Sequence, residues 1–279
     1  MPFPKARDFH KPGFPEVPNG LGVFYVLTSS IYLFLLHFFG YRGALALASC
    51  ILFGGFMGLL DDWMDLKWRY KAILPVIASI PLAALRQGHT VMATYIFGKI
   101  DFGIYYYFVI APVIVTITTN VVNQLGGLNG LESVCPLIIL AGFFIISPNR
   151  VLLIVPLLTL SVLAFLNYNG KIFVGNVGSF SFGITLAAYA IITDMEQMLL
   201  ISILPYIFNS SLILINYLFL QRTPYLKLIN GKITADNKRS LVTIIAYKRT
   251  LSERQIVNII AVIFLIFTII ALLTRTLLR

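Results

Sequence analysis

Three carboxylates stand within five residues at the end of an apolar run. The stretch GLLDDWMDLKWRYK (58–71) holds Asp61, Asp62 and Asp65, with Lys67, Arg69 and Lys71 directly behind them. Carboxylates attract a divalent cation, and ammonium or guanidinium groups attract phosphate, so the pairing suits phosphoryl transfer. Acids at a membrane boundary are costly unless they meet cations, metal or water. A solvated helix end explains one such acid; three followed by KWRYK favour a site. If the helix continues, Asp61 and Asp65 share a face and Asp62 points about a quarter-turn away.

Three further stretches carry polar groups in apolar surroundings. TNVVNQLGGLNGLES brings Asn120, Asn123, Asn129 and Glu132 together with glycines at 126, 127 and 130. Asn120 and Asn123 share a helical face, and Gly126–Gly127 breaks the helix. Irregular backbone at membrane depth is tolerated where it lines protein or a wet cavity, so a polar pocket is favoured over a small-residue packing face. In KIFVGNVGSFSFG, glycines 175, 178 and 183 permit close approach, Phe173 could stack on a base or anchor at an interface, and Asn176 begins the next span. LQRTPYLKLINGKITADNKRS reads as a hairpin over Asn230–Gly231, with Arg222 emerging directly from a span. His10, His37 and His89 have no ligand spacing, and there is no Walker A loop, GxSxG or HExxH.

The elements that must position these groups are membrane helices. Of 279 residues, 58% are hydrophobic and only 11% charged, outside the range of soluble domains. The pattern predicts an all-α, polytopic membrane helical bundle, one domain over 1–279. About nine spans are read, near 20–40, 43–61, 71–86, 104–122, 131–147, 150–167, 178–194, 197–220 and 255–276. QGHTVMATYIFGKIDFG is too polar to span and reads as a small hairpin. Residues 1–19, with five prolines, read as an irregular lead-in without a signal peptide. Cys50 and Cys135 lie in apolar runs and form no metal motif. Fifteen of the 21 cations fall on one side of this topology, and Arg42, Arg86, Lys99, Arg150, Arg275 and Arg279 on the other. The positive-inside rule makes the first side, which holds all four polar stretches, cytoplasmic. The net charge of +10 therefore points to membrane topology and phosphate, with no nucleic acid as partner.

Taken in order, PEVPNGLG, GLLDDWMDLKWRYK, TTNVVNQLGGLNGLES, KIFVGNVGSF and the loop beginning QRTP resemble the polyprenyl-phosphate N-acetylhexosamine-1-phosphate transferases over nearly the whole chain. The NGLE form, in place of a DGLDGL form, is most similar to the eukaryotic and archaeal branch that acts on UDP-GlcNAc and dolichyl phosphate. The resemblance implies attack of a lipid phosphate on the β-phosphorus of a UDP-sugar, with release of UMP and Mg²⁺, or Mn²⁺ in its place, as cofactor. It implies that Asp61 and Asp62 organise the acceptor phosphate and that Lys71 contacts the pyrophosphate. Asn123 and Asn176 fall at metal-ligand positions. Gly127, Asn129 and Phe173 fall in the uridine pocket, with Glu16 and Asn120 near it; Arg222 falls at a sugar contact and Trp68 where the lipid approaches. Loop 221–254 becomes the cytoplasmic sugar-recognition loop. Related enzymes are often homodimers, in the plasma membrane of archaea or the endoplasmic reticulum of eukaryotes.

Three departures from the family pattern matter. Asn176 stands where the family has a metal-binding Asp, and keeps a hard oxygen but loses the charge. Gln221 stands where a histidine is common. The family usually has ten spans, one ahead of the PE motif. The first two leave two expectations: a Mg²⁺-dependent GlcNAc-1-phosphate transferase weakened by Asn176, whether native or engineered, or an impaired homologue that binds nucleotide-sugar or lipid phosphate. A secondary transporter would instead call for repeat symmetry and acids near the bilayer midplane, and the sequence has neither.

Overall fold

The computed structural model describes residues 3–94 and 98–277. The proline-rich start is more ordered than an irregular lead-in: β1 (Lys5–Arg7) pairs antiparallel with β2 (Glu16–Pro18). Gly13 and Phe14, both at positive φ, reverse the chain between them, and Pro4, Pro12, Pro15 and Pro18 sit in the turn or at strand ends, where no ladder N–H is lost. Next come α1 (Gly22–Phe38) and α2 (Ala44–Met64).

The third apolar stretch is not one continuous span. It divides into α3 (Trp68–Ile73), α4 (Pro75–Ala78) and α5 (Ile80–Ala84). Pro75 and Pro81 lack an N–H and clash with the preceding turn, so each ends one helical piece and starts the next. The expected hairpin follows as β3 (Val91–Thr94) against β4 (Gly98–Asp101); its tip at 95–97 lies outside the described residues, as does Arg279.

A π-helical turn at Tyr106–Ile110 runs into α6 (Ala111–Gln124), followed by α7 (Leu131–Ile146). A 3₁₀ turn at Arg150–Leu153 leads into α8 (Ile154–Tyr168), then come α9 (Gly175–Ile192), α10 (Glu196–Ser202) and α11 (Leu204–Leu220). β5 (Lys227–Ile229) and β6 (Lys232–Thr234) close over Asn230 and Gly231, both at positive φ as a type I′ turn requires. The chain ends in α12 (Leu241–Ile245) and α13 (Glu253–Leu277).

Among the described residues five helices are long and apolar enough to cross a membrane: Ala44–Met64, Tyr106–Gln124, Arg150–Tyr168, Gly175–Ile192 and Glu253–Thr274. α10 and α11 qualify together but bend by 56° at their junction, and α1 and α7 are apolar at 17 and 16 residues. The fold is a polytopic helical membrane bundle.

Helix α9 forms its centre, with every residue from Val177 to Ile191 buried, as an all-round apolar helix requires. Its N-terminal end is gripped by glycines. A Cβ on Gly58 would collide with the carbonyl oxygen of Asn176, and one on Gly22 with the Gly178 backbone. Bare backbones let α1, α2 and α9 approach closely at the end that carries the acids.

Candidate active site

α2 stops at Met64, and Asp65 takes a left-handed conformation at its C-cap. The expected shared face is therefore lost: Asp61 is buried, whereas Asp65 is fully exposed. The reversal swings α3 back so that Lys71 Nζ lies 2.8 Å from Asp61 Oδ1 and 3.8 Å from Asp65 Oδ1. Asp61 Oδ1 also accepts from the Leu66 N–H at 3.0 Å, while its Oδ2 is buried without a hydrogen-bond partner.

Asp62 has a different task. Its Oδ1 accepts from the Asn176 N–H at 2.9 Å and its Oδ2 from the Val177 N–H at 3.1 Å, so one carboxylate caps α9. The positive end of a helix favours that anion. Gly175, at φ +70, leaves it room: a Cβ there would stand 2.7 Å from Asp62 Oδ2.

On α6, Asn123 Oδ1 accepts from Ser179 Oγ at 2.5 Å, and Ser179 is 3.4 Å from the Asn176 carbonyl. One hydroxyl thus joins the second and third polar stretches. Asn120 Nδ2 donates to the Thr116 carbonyl at 2.9 Å. Trp68, Lys71, Asn120, Asn123, Gln124 and Ser210 line one cavity of about 370 Å³. Gln124 also lines a second, of about 250 Å³, with Gly127, His10 and Tyr225. Gly127, at φ +89, donates its N–H to Glu132 Oε1 at 3.3 Å, which holds the glycine turn open.

The remaining candidates lie apart from these two cavities. Phe173 is half-buried in an extended stretch whose backbone bonds Pro18 and Leu21. Glu16 is exposed, 3.9 Å from Lys5, and Arg222 lies exposed just past α11. Asn129 is buried: its Nδ2 donates to Asp8 Oδ2 at 2.7 Å and to Glu253 Oε1 at 2.9 Å, and its N–H to Glu253 Oε1 at 2.6 Å.

Sequence reasoning missed that cluster, because Asp8, Asn129 and Glu253 meet from three distant segments. The one local signal was SERQ (252–255), where Ser252 and Gln255 form a reciprocal cap that starts α13 and fixes Glu253. Among the described residues, Asp8, His10 and Glu253 are the acids and imidazole close enough to share a metal ion. Both carboxylates are already satisfied by Asn129, and Asp8 also by Lys11 Nζ at 3.0 Å.

Burial pushes the Asp8 carboxyl up, but bonds from Asn129, Lys11 and the His10 N–H outweigh it and hold it below the usual range. A depressed folded-state value contributes stability above the unfolded carboxylate value and loses it as pH falls through the folded one. The melting advantage of the parent over Asp8→Asn is therefore expected to be full at pH 6 and to shrink below about pH 4. Melting curves across that range check it; a constant difference would contradict the assignment.

A divalent cation was expected here, and the donor set fits a hard ion. Asp61, Asp62, Asn123 and Asn176 would present only oxygen to a cation, and Lys71 keeps excess negative charge down. Asp61 Oδ2 lacks a partner, whereas both Asp62 oxygens accept from the start of α9 and Asn123 Oδ1 from Ser179. Magnesium is commonly held by one or two carboxylates plus substrate phosphates and water, which matches so sparse a set.

Residues 44–194, which carry Asp61, Asp62, Lys71, Asn123 and Asn176, match the family model described as glycosyl transferase family 4. The chain belongs to this family. Its relatives include a protein of Saccharolobus solfataricus, provisionally named a UDP-N-acetylglucosamine–dolichyl-phosphate N-acetylglucosaminephosphotransferase, 30% identical over 97% of this chain and 88% of the relative. A protein of that name from Schizosaccharomyces pombe is 29% identical over 58% of this chain and 42% of its own length. A phospho-N-acetylmuramoyl-pentapeptide-transferase of Clostridium botulinum is 31% identical over 71% of this chain and 65% of its own length. Glycosyl transferase family 4 thus accounts for the block of residues that carries the acids, the lysine and the amides.

Proposed function

We propose that this member of glycosyl transferase family 4 moves N-acetylglucosamine-1-phosphate from UDP-GlcNAc to a polyprenyl phosphate of the dolichyl type, starting a lipid-linked glycan. The observation that carries this reading is the Lys71–Asp61 pair, with Lys71 opening into the cavity that Trp68, Asn120 and Asn123 share. The names of the relatives agree with it.

A phosphate monoester titrates near ~6 and is largely ionised at neutral pH, so the reaction needs charge neutralisation and in-line positioning more than a strong base. The acceptor oxygen attacks the β-phosphorus, the bond to the α-phosphate oxygen breaks, and UMP leaves with the electron pair. Lys71 offers an ammonium to the phosphates, held in place by Asp61. Asp62 fixes the start of α9 so that Asn176 and Ser179 keep their places beside Asn123. Trp68, exposed at the cavity mouth, gives the lipid an apolar approach. Gly127 and His10, which line the adjoining cavity, would contact the nucleotide, and Arg222 on the basic loop would reach the sugar. Mg²⁺, held by Asn123 and Asn176 with the substrate phosphates, would supply neutralisation of the pyrophosphate. The fifteen cations on the acid-bearing side favour a cytoplasmic site in a bilayer-embedded enzyme.

The test is UMP release by purified protein given UDP-GlcNAc, polyprenyl phosphate and Mg²⁺. Asn176 favours a second reading, a homologue that binds these ligands without turnover, and one variant separates the two. Asn176→Asp restores a charged ligand and is expected to lower the half-saturating Mg²⁺ concentration by about tenfold, since ligand charge tunes affinity. Activity in both forms supports the enzyme; activity only in Asn176→Asp supports the binder; none in either form refutes the transferase.

A further inference from the structure

At the end of the bundle opposite the acids, a cavity of about 520 Å³ opens between the start of α2, the chain at Leu85–His89 and the end of α9. Gly43 caps the start of α2 and Asp61 lies near its other end, which places the cavity about 27 Å from the proposed active site along the helix. Its polar lining carries two cations, Arg42 and Arg86, with the imidazoles of His37 and His89 and the amides of Gln87 and Asn149.

One acid answers this charge. Asp194 accepts from the His89 backbone N–H at 3.0 Å and contacts His89 Nδ1 at 2.6 Å. The two arginines are left over: among the described residues neither guanidinium makes an ion pair or a hydrogen bond. Arg150, at the same end, shows the contrast. Its guanidinium is spent on the Ser147 and Ile145 carbonyls that end α7.

The walls are fixed before any ligand arrives. Gly88 is at φ +83, and a Cβ there would meet the Ile191 carbonyl at 2.7 Å and Tyr106 Oη at 2.9 Å. Tyr107 Oη donates to the Gly88 carbonyl at 3.1 Å, and the Gln87 N–H bonds the Leu82 carbonyl at 2.9 Å. Two unspent guanidinium groups from separate segments line this cavity, and the guanidinium fork is the side chain best suited to pair with phosphate oxygens. The volume is that of a small organic ligand, more than a bare ion needs.

We propose that this cavity binds a phosphate-bearing polar headgroup through Arg42 and Arg86. The headgroup comes from an anionic phospholipid of the adjacent leaflet or from a soluble phosphoester. Phe38 and Phe39, exposed beside His37 at the end of α1, supply the apolar flank that a lipid chain needs. The site stands independently of the transferase reading, so a failure of UMP release leaves it intact.

The experiment is native mass spectrometry of the detergent-purified chain with phosphatidylglycerol, phosphatidylcholine or glycerol 1-phosphate. Retention of phosphatidylglycerol over phosphatidylcholine identifies the lipid source, and retention of glycerol 1-phosphate the soluble one. In Arg42→Ala/Arg86→Ala either is expected to weaken by about tenfold or more, the scale of lost charge-assisted bonds, with UMP release unchanged. Binding of neither, or equal binding by the double variant, overturns the proposal. If the double variant misfolds, phenylglyoxal labelling of the parent decides: the bound ligand must protect Arg42 and Arg86, and equal labelling with and without it overturns the site.

Discussion

Replacing Lys71 with alanine is expected to lower UMP release by a hundredfold to a thousandfold, the usual scale for losing one preorganised charge at a developing anion (about 3–4 kcal/mol). The geometry adds a second, separable effect. Asp61 is buried, and its Oδ1 depends on Lys71 at 2.8 Å. Removing one partner of a buried pair leaves an uncompensated charge and costs more than the pair ever contributed, about 3 kcal/mol. Lys71→Ala should therefore melt earlier as well as turn over slowly. Asp61→Asn combined with Lys71→Ala removes both charges, so its melting temperature is expected to recover most of the loss while activity does not. The recovery in melting isolates the structural part of the Lys71 loss, and turnover of Lys71→Ala measured below its melting transition reports what the lysine does to phosphate. Turnover in Lys71→Ala within tenfold of the parent would rule out the catalytic role.

The parts of this molecule that follow from local rules were legible in the chain. Uninterrupted apolar runs became helices, and Asn230–Gly231 became a hairpin because both residues tolerate positive φ. Asn120 and Asn123 share a cavity because three residues make most of a helical turn. The break at Pro75 and Pro81 was also written in the sequence, but the apolar run around them masks it in any window long enough to find a span.

What was not legible depends on where the chain turns and what it meets there. Asp65 leaves the face of Asp61 because α2 ends in a left-handed residue, a choice set by the return of α3 rather than by the spacing of the acids. Asp62 reads as a ligand for substrate, yet its immediate partners are backbone N–H groups more than a hundred residues away. The clamp of Asp8 and Glu253 on Asn129 has no local signature in the first or second of its three segments. Polar residues announce that a site exists; only the packing of α1, α2 and α9 decides which of them face one another.

Gly58 is where that packing is most exposed to a single change. In isolation, alanine within a helix is favoured over glycine by about 1 kcal/mol. Here the added Cβ would land on the Asn176 carbonyl and the Val177 Cα, backbone atoms that cannot rotate aside. Forcing the helices apart costs about 3 kcal/mol, the upper end for overpacking. The net loss of about 2 kcal/mol corresponds to a fall of roughly 4–8 °C in melting temperature for a chain of this size. Gly54, one turn earlier on the same helix, supplies the control. Its Cβ would meet Ile184 Cδ1 at 2.7 Å, the terminal methyl of a buried side chain rather than backbone, so Gly54→Ala should cost less in melting than Gly58→Ala. Separation at Gly58 also parts Asp62 from the start of α9, which moves Asn176 and, through Ser179, Asn123. Gly58→Ala is therefore expected to lose most UMP release even at temperatures where it stays folded, and Gly54→Ala to keep it. If both variants behave alike, the close approach of α2 to α9 is not what holds the site together.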